Sequence, residues 1–204
     1  MTGVRRIGLS AGMAAPLIYL ATVVVGGRIT PGYSHVREPV SALFESGAPY
    51  AFPVSVAFAV YNLLLFAFAC TLHAHYRGAA PALRLAAILV AVTALAGLLI
   101  LLAPMDPTGA PATRAGIVHL VLAGFLSIGS AGAIGLGAWG ELKREDHRAA
   151  AFAAGVLAVL LAAAASAALA ATQGYPFMGL YQRLTIGAYL IWIFRTAMIE
   201  FQRR

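Results

Sequence analysis

The sequence predicts an all-α polytopic membrane protein: a six-transmembrane-helix bundle with a short interfacial helix in the first outer loop. Three observations carry this. Of the 204 residues, 61% are hydrophobic and only 10% charged, with a mean hydropathy of +0.86, whereas a soluble domain carries about 25% charged residues. The 14 basic and 7 acidic residues are spread so that long stretches hold no charge. Those stretches form six apolar runs, each near the roughly 20 residues that cross about 30 Å of hydrocarbon as a helix. A soluble enzyme, a disordered tail and a disulfide scaffold are excluded.

The first run, residues 7–25, follows Arg5 and Arg6. It is long for the apolar part of a signal peptide and lacks a clean Ala-x-Ala cleavage site, so it reads as a retained span. The second, third, fourth and fifth runs cover about 52–72, 83–103, 117–139 and 149–171. The sixth covers 180–199 and is interrupted near its start by Gln182 and Arg183. Small residues let membrane helices approach closely; Gly129, Ala133 and Gly137 make such a ridge on span four, and Gly8 with Gly12 begins one on span one. The connections 76–84 and 140–148 read as plain solvated hairpins. The first outer loop, 28–51, is longer. Pro39 suits a first helical position after Glu38 as cap. In a helix from there, Glu38, Ser41 and Glu45 share one face and Val40, Leu43 and Phe44 another, which describes a short amphipathic helix at the outer interface or folded over the bundle mouth. The whole chain, 1–204, reads as a single integral membrane domain.

A net charge of +7 and a pI of about 10.1 would suggest nucleic acid in a soluble protein. Here the cations lie in short clusters between apolar runs, so the expected partner is the lipid bilayer and not nucleic acid. Such clusters report orientation. With both termini inside, ten Lys/Arg face the cytoplasm and four face out, which predicts a multi-pass protein of the inner (plasma) membrane with both termini cytoplasmic. Trp139 and Trp192 fall near the inner interface; Tyr33, Tyr50, Tyr175 and Tyr181 fall near the outer one. Arg195 can snorkel to the inner surface. The lone Cys70 allows no internal disulfide and reads as a small buried packing residue. His73 and His75, at i and i+2, diverge on a helix. The oligomeric state stays open.

Polar residues that composition does not explain gather at the outer ends of the spans: His35, Arg37, Glu38, Ser41 and Glu45 in the first loop, Asp106 after span three, His119 one turn inside span four, and Gln182 with Arg183 opening span six. An ionisable group at membrane depth is costly, so it faces the bundle interior and finds a partner. Asp106 sits between Pro104 and Pro107, which end span three at the bundle mouth. Arg183 is the natural cation for Asp106 or Glu38, and His119 a natural proton carrier or metal ligand. As a site, Asp106, His119 and Glu38 would supply acid/base chemistry. Arg183 would hold an anionic headgroup, with Ser41, Glu45, His35 and Gln182 around it. Each residue also has a plain structural reading: a helix-end turn for Asp106, an ion pair for Arg183, an interhelical hydrogen bond for His119, and the wet face of an interfacial helix for Glu38, Ser41 and Glu45.

Among specific chemistries, a Ser41/His119/Asp106 triad has the residue types but no nucleophile-elbow pattern. A metal held by His35, His119 and Asp106 or Glu38 lacks any HxxxH or HExxH spacing, and neither metal nor cofactor is expected. A carboxylic acid kept in an apolar cavity as proton donor to a lipid or isoprenoid alkene is chemically reasonable. A proton-coupled carrier wants ionisable groups near the midplane, and spans two, three and five have none.

At YSHVREPVSALFESG, PMDP, GIVHL and GLYQR the chain resembles a family of bacterial six-span membrane proteins known as domain of unknown function 998. The resemblance runs over nearly the whole chain. It implies the six-span fold and marks Glu38, Pro39, Ser41, Asp106, His119 and Arg183 as family positions; it implies no reaction. A fainter similarity to six-span proteins that remodel lipid anchors points towards lipids. The leading expectation is a membrane-embedded protein with a polar pocket at the outer leaflet that binds or chemically modifies a lipid or isoprenoid amphiphile by acid/base chemistry. The alternative is a non-catalytic structural or accessory protein whose polar cluster is an interhelical clamp, and the third a small-solute transporter.

Overall fold

The computed structural model describes residues 3–78 and 80–203. Six long helices form: α1 Gly3–Ile29, α2 Ala51–His75, α3 Pro81–Leu99 extended by a 3-10 turn Ile100–Leu102, α4 Arg114–Lys143, α5 His147–Gln173 and α6 Met178–Gln202. Each is long and apolar enough to cross a membrane, and among the described residues there is no strand. The protein is a six-span all-α membrane protein, and every predicted run lies on its helix to within a residue. Arg204, one of the ten cations counted for orientation, lies outside the described residues.

Local chemistry sets the helix ends. Thr113 caps α4, its side chain accepting from the Gly116 amide at 3.1 Å, and Asp146 caps α5, accepting from Ala149 at 2.9 Å, which satisfies amides that have no partner within a first turn. Pro81 opens α3 where its missing N–H costs nothing. Gly174, at φ 69°, closes α5 in the left-handed conformation that a side chain disfavours.

Each helix packs on the next in sequence, and α6 closes the ring against α1. Both termini therefore emerge at one end, the termini end, with the turns after α2 and α4. The loop 30–50, the segment 103–113 and the turn 174–177 share the far end. In lipid no hydrophobic force joins helices, so close packing must do it. The small-residue ridges serve this purpose: Gly12 lies against Phe68, Gly129 against Thr93 and Gly137 against the Trp192 indole. Trp192, expected at an interface, is a core residue only 6% exposed, because Gly137 leaves room for its ring between α4 and α6.

The predicted amphipathic helix of the first loop is shorter and tighter than an α-helix. Val40–Phe44 form a 3-10 turn, with Pro39 as cap and not as first helical residue, and the chain is extended again at Glu45. A 3-10 turn stacks residues three apart; this puts Val40 and Leu43 together, and both are buried with Phe44 against Val23 of α1 and Val54 and Phe58 of α2. Glu45 consequently lies beyond the turn and does not share a helical face with Glu38 and Ser41.

Candidate functional site

At the far end the loop 30–50 is docked onto the start of α6 by its backbone. Leu180 N–H donates to Val36 O at 2.9 Å and Gly179 N–H to Arg37 O at 3.3 Å. Gln182 Oε1 accepts from the Val40 amide at 2.7 Å. Arg183 Nη1 donates to the carbonyls of Glu38 and Gly179, both at 2.9 Å, while Nη2 donates to the Tyr33 hydroxyl, which itself donates to Pro39 O at 3.0 Å. The guanidinium also lies over the Tyr33 ring, and its Nε is buried without a hydrogen-bond partner. Gly179 matters here because a Cβ would run into the Glu38 carbonyl.

This corrects the expected pairing. Arg183 meets Glu38 through its backbone carbonyl; the Glu38 carboxylate instead accepts from the Ser34 amide at 2.5 Å. Asp106 is equally local: its two oxygens accept from the Thr113 amide at 2.8 Å and the Thr113 hydroxyl at 2.7 Å, so it fastens the PMDP turn to the cap of α4. Those bonds hold its pKa below the usual aspartate value. The two carboxylates take donors four and seven residues away in the chain in place of an ion pair, while Arg183 reaches the Glu38 carbonyl across the contact between loop and α6.

His119 is 2% exposed. Its Nδ1 is 2.8 Å from Ala103 O; a carbonyl only accepts, so Nδ1 carries the proton. The ring packs near Phe44. Ser41 Oγ donates to Met105 Sδ at 3.3 Å, and Ser46 N–H to Met105 O at 3.0 Å. The Ser41/His119/Asp106 triad is thus not assembled: each member is bonded to a different group. His35 lies edge-on to Tyr33; burial, then the Arg183 charge, pushes its pKa down, which favours the neutral imidazole. Burial, reinforced by Glu38, pushes the Glu45 carboxyl up, and burial raises the Tyr33 phenol, with Arg183 opposing. Among the described residues no group of three His, Cys, Asp or Glu side chains is arranged to hold a metal ion.

The strongest charge cluster lies at the termini end, where the hairpins read as plain. Glu200 of α6 is 1% exposed. Its Oε1 accepts from Arg203 at 2.5 Å and from the Tyr76 hydroxyl at 3.1 Å, with Arg144 at 3.7 Å. Its Oε2 lies 3.0 Å from His75 Nε2 and 3.8 Å from Arg5. Arg203 also reaches Asp146 at 2.8 Å and Glu141 at 3.9 Å. One carboxylate thus ties α1, α2, α4 and α6. Beside it is a cavity of about 30 Å³ between Tyr76, Glu141, Trp192, Arg195, Thr196 and Glu200, room for about two waters. His73 faces Arg84 instead, so the two histidines do diverge. The missed signal was Glu200 itself, the one acid abutting an apolar run, to which the rule on ionisable groups at membrane depth applies directly.

No curated protein and no solved structure matches the chain. A family model described as protein of unknown function (DUF998) matches residues 13–198, nearly the whole length of the six-helix ring. The chain belongs to that family.

Proposed function

We propose that this is a non-catalytic structural or accessory membrane protein whose far-end polar residues form an interhelical clamp. The observation that carries this reading is the destination of Arg183, whose guanidinium is engaged with two carbonyls and a hydroxyl that belong to the loop and to α6. Asp106, His119, Ser41 and Gln182 are engaged in the same manner. Acid/base catalysis needs a donor and an acceptor within reach of one reacting atom, and these groups bond in separate directions. The lowered pKa of Asp106 keeps it ionised at neutral pH, the reverse of what a carboxylic acid donor needs. In this reading the far end faces outwards from the plasma membrane and both termini are cytoplasmic, a placement supported by the Lys/Arg count.

The test is thermal unfolding of the purified protein alongside mass spectrometry of the lipids that come with it. Arg183→Gln and His119→Leu are expected to destabilise by about 1–3 kcal/mol, the cost of stranding buried polar partners, and Asp106→Asn to lower the melting temperature as well. All three leave the lipid profile as in the parent. A folded variant that loses a specific amphiphile overturns the clamp.

One observation favours a second reading, in which the far end binds a lipid or isoprenoid through its anionic headgroup. Arg183 Nε is buried and unpartnered, and among the described residues every ion pair lies at the other end. A half-buried cation without a carboxylate attracts an anion. This reading expects Arg183→Gln alone to strip a co-purifying anionic amphiphile, with Asp106→Asn without effect on it.

A further inference from the structure

Away from the far end, Arg195 of α6 stands apart from the ion network. Arg195 lies five residues before Glu200 on α6, about 7.5 Å deeper along the axis. Its guanidinium sits over the Phe152 ring of α5 at 4.2 Å. The two carboxylates that share its small cavity, Glu141 and Glu200, are already engaged with Arg144 and Arg203. Among the described residues no carboxylate comes within the 4.0 Å ion-pair distance of Arg195, nor of Arg148. Arg148 is exposed on the first turn of α5 and lies four residues before Phe152, hence on the same helix face. It borders an open cleft of about 600 Å³ with Arg144, Glu145, His147 and Arg203. Of the two acids there, Asp146 is held by Arg203 and by the Ala149 amide, and Glu145 is exposed at the turn, so the cleft carries an excess of cations. Beyond this point α5 offers a smooth apolar surface, with Ala151, Ala154, Gly155 and Val159 all exposed.

We propose that the groove between α5 and α6 at the termini end is a binding site for an anionic phospholipid. Arg148 and Arg195 hold the phosphodiester from two sides, Phe152 packs under the glycerol, and an acyl chain follows the small-residue face of α5. Basic pockets between membrane helices recognise lipid phosphates by charge and hydrogen bonding together. A zwitterionic headgroup brings its own ammonium to a rim already rich in guanidinium groups, so the site discriminates by net charge. The site is independent of the far-end clamp and shares no residue with it.

Native mass spectrometry of the full-length protein in detergent, titrated with phosphatidylglycerol or phosphatidylcholine of identical chains, tests this. Phosphatidylglycerol is expected to bind severalfold more tightly. Arg148→Gln and Arg195→Gln each weaken it by about tenfold, the loss of one charged hydrogen-bond partner, while Arg77→Gln on the α2–α3 turn leaves it unchanged. Arg148→Gln alters an exposed residue, so it carries the test if Arg195→Gln fails to fold. Equal binding of the two lipids, or parent-like binding by a folded Arg148→Gln variant, overturns the proposal. Displacement of the lipid by millimolar inorganic phosphate overturns its assignment to a lipid.

Discussion

Glu200 shows what one residue does in this bundle. A carboxylate 1% exposed is tolerated because Arg203, Tyr76 and His75 lie within hydrogen-bonding distance and Arg144 and Arg5 stand just outside. Removing one member of a buried ion pair is far more damaging than never having built it, since the partners keep their desolvation cost and lose the attraction. Glu200→Gln keeps the shape and deletes the charge, so it is expected to destabilise by about 3–5 kcal/mol, read as the loss of unfolding free energy in a denaturant titration in mixed micelles. Glu145→Gln, at an exposed turn position, serves as the control and changes stability by less than about 0.5 kcal/mol. Similar losses for the two variants would show that the network is ornamental to the fold.

At the scale of elements, the far end is held by a loop that behaves as a seventh packing unit. The 3-10 turn contributes Val40, Leu43 and Phe44 to the core around Phe58, and the backbone of residues 36–40 is pinned to α6. Gln182 is the pin most easily removed. Gln182→Leu leaves the Val40 amide without its acceptor, at a cost of about 1–3 kcal/mol. Amide exchange across residues 36–44 is therefore expected to accelerate by about tenfold or more, with the α2 and α3 amides unaffected; a uniform change across the chain would mean that the loop does not open by itself. This level also separates what composition and periodicity reveal from what they hide. The six spans were legible because each obeys a length rule applied to an apolar run, and the PMDP stop and the small-residue ridges follow from residue type alone. The pairing of the polar residues was not. Whether Arg183 meets the Glu38 carboxylate or its carbonyl, and whether Asp106 turns to Arg183 or to Thr113, depends on where separate loops converge, and nearby backbone groups compete well against distant charges. The choice of a 3-10 turn over an α-helix after Pro39 was equally a tertiary decision, made by the buried contacts of Val40 and Leu43.

For the whole molecule, an even number of spans in a closed ring puts both termini at one end, and that end gathers Arg5, Arg144, Arg195 and Arg203 about Glu200 and its cavity. Translocation works against Lys and Arg in short loops, so in the proposed orientation the excess of ten over four predicts this end inside the cell and the docked loop outside. The orientation can be read with a membrane-impermeant thiol reagent on intact cells, after Cys70→Ser removes the one native thiol, which lies exposed on α2 and not buried as its apolar surroundings in the sequence suggest. Ala110 lies exposed in the segment between α3 and α4, and His147 lies exposed at the start of α5, at the opposite end. Ala110→Cys is expected to be labelled at once, and His147→Cys only after the membrane is permeabilised. The reverse pattern would turn the molecule over, placing the Arg183 clamp in the cytoplasm and the Arg148–Arg195 groove against the outer leaflet. Labelling of both positions in intact cells would mean that the two ends do not lie on opposite sides of a bilayer, and the six-span ring itself would have to be abandoned.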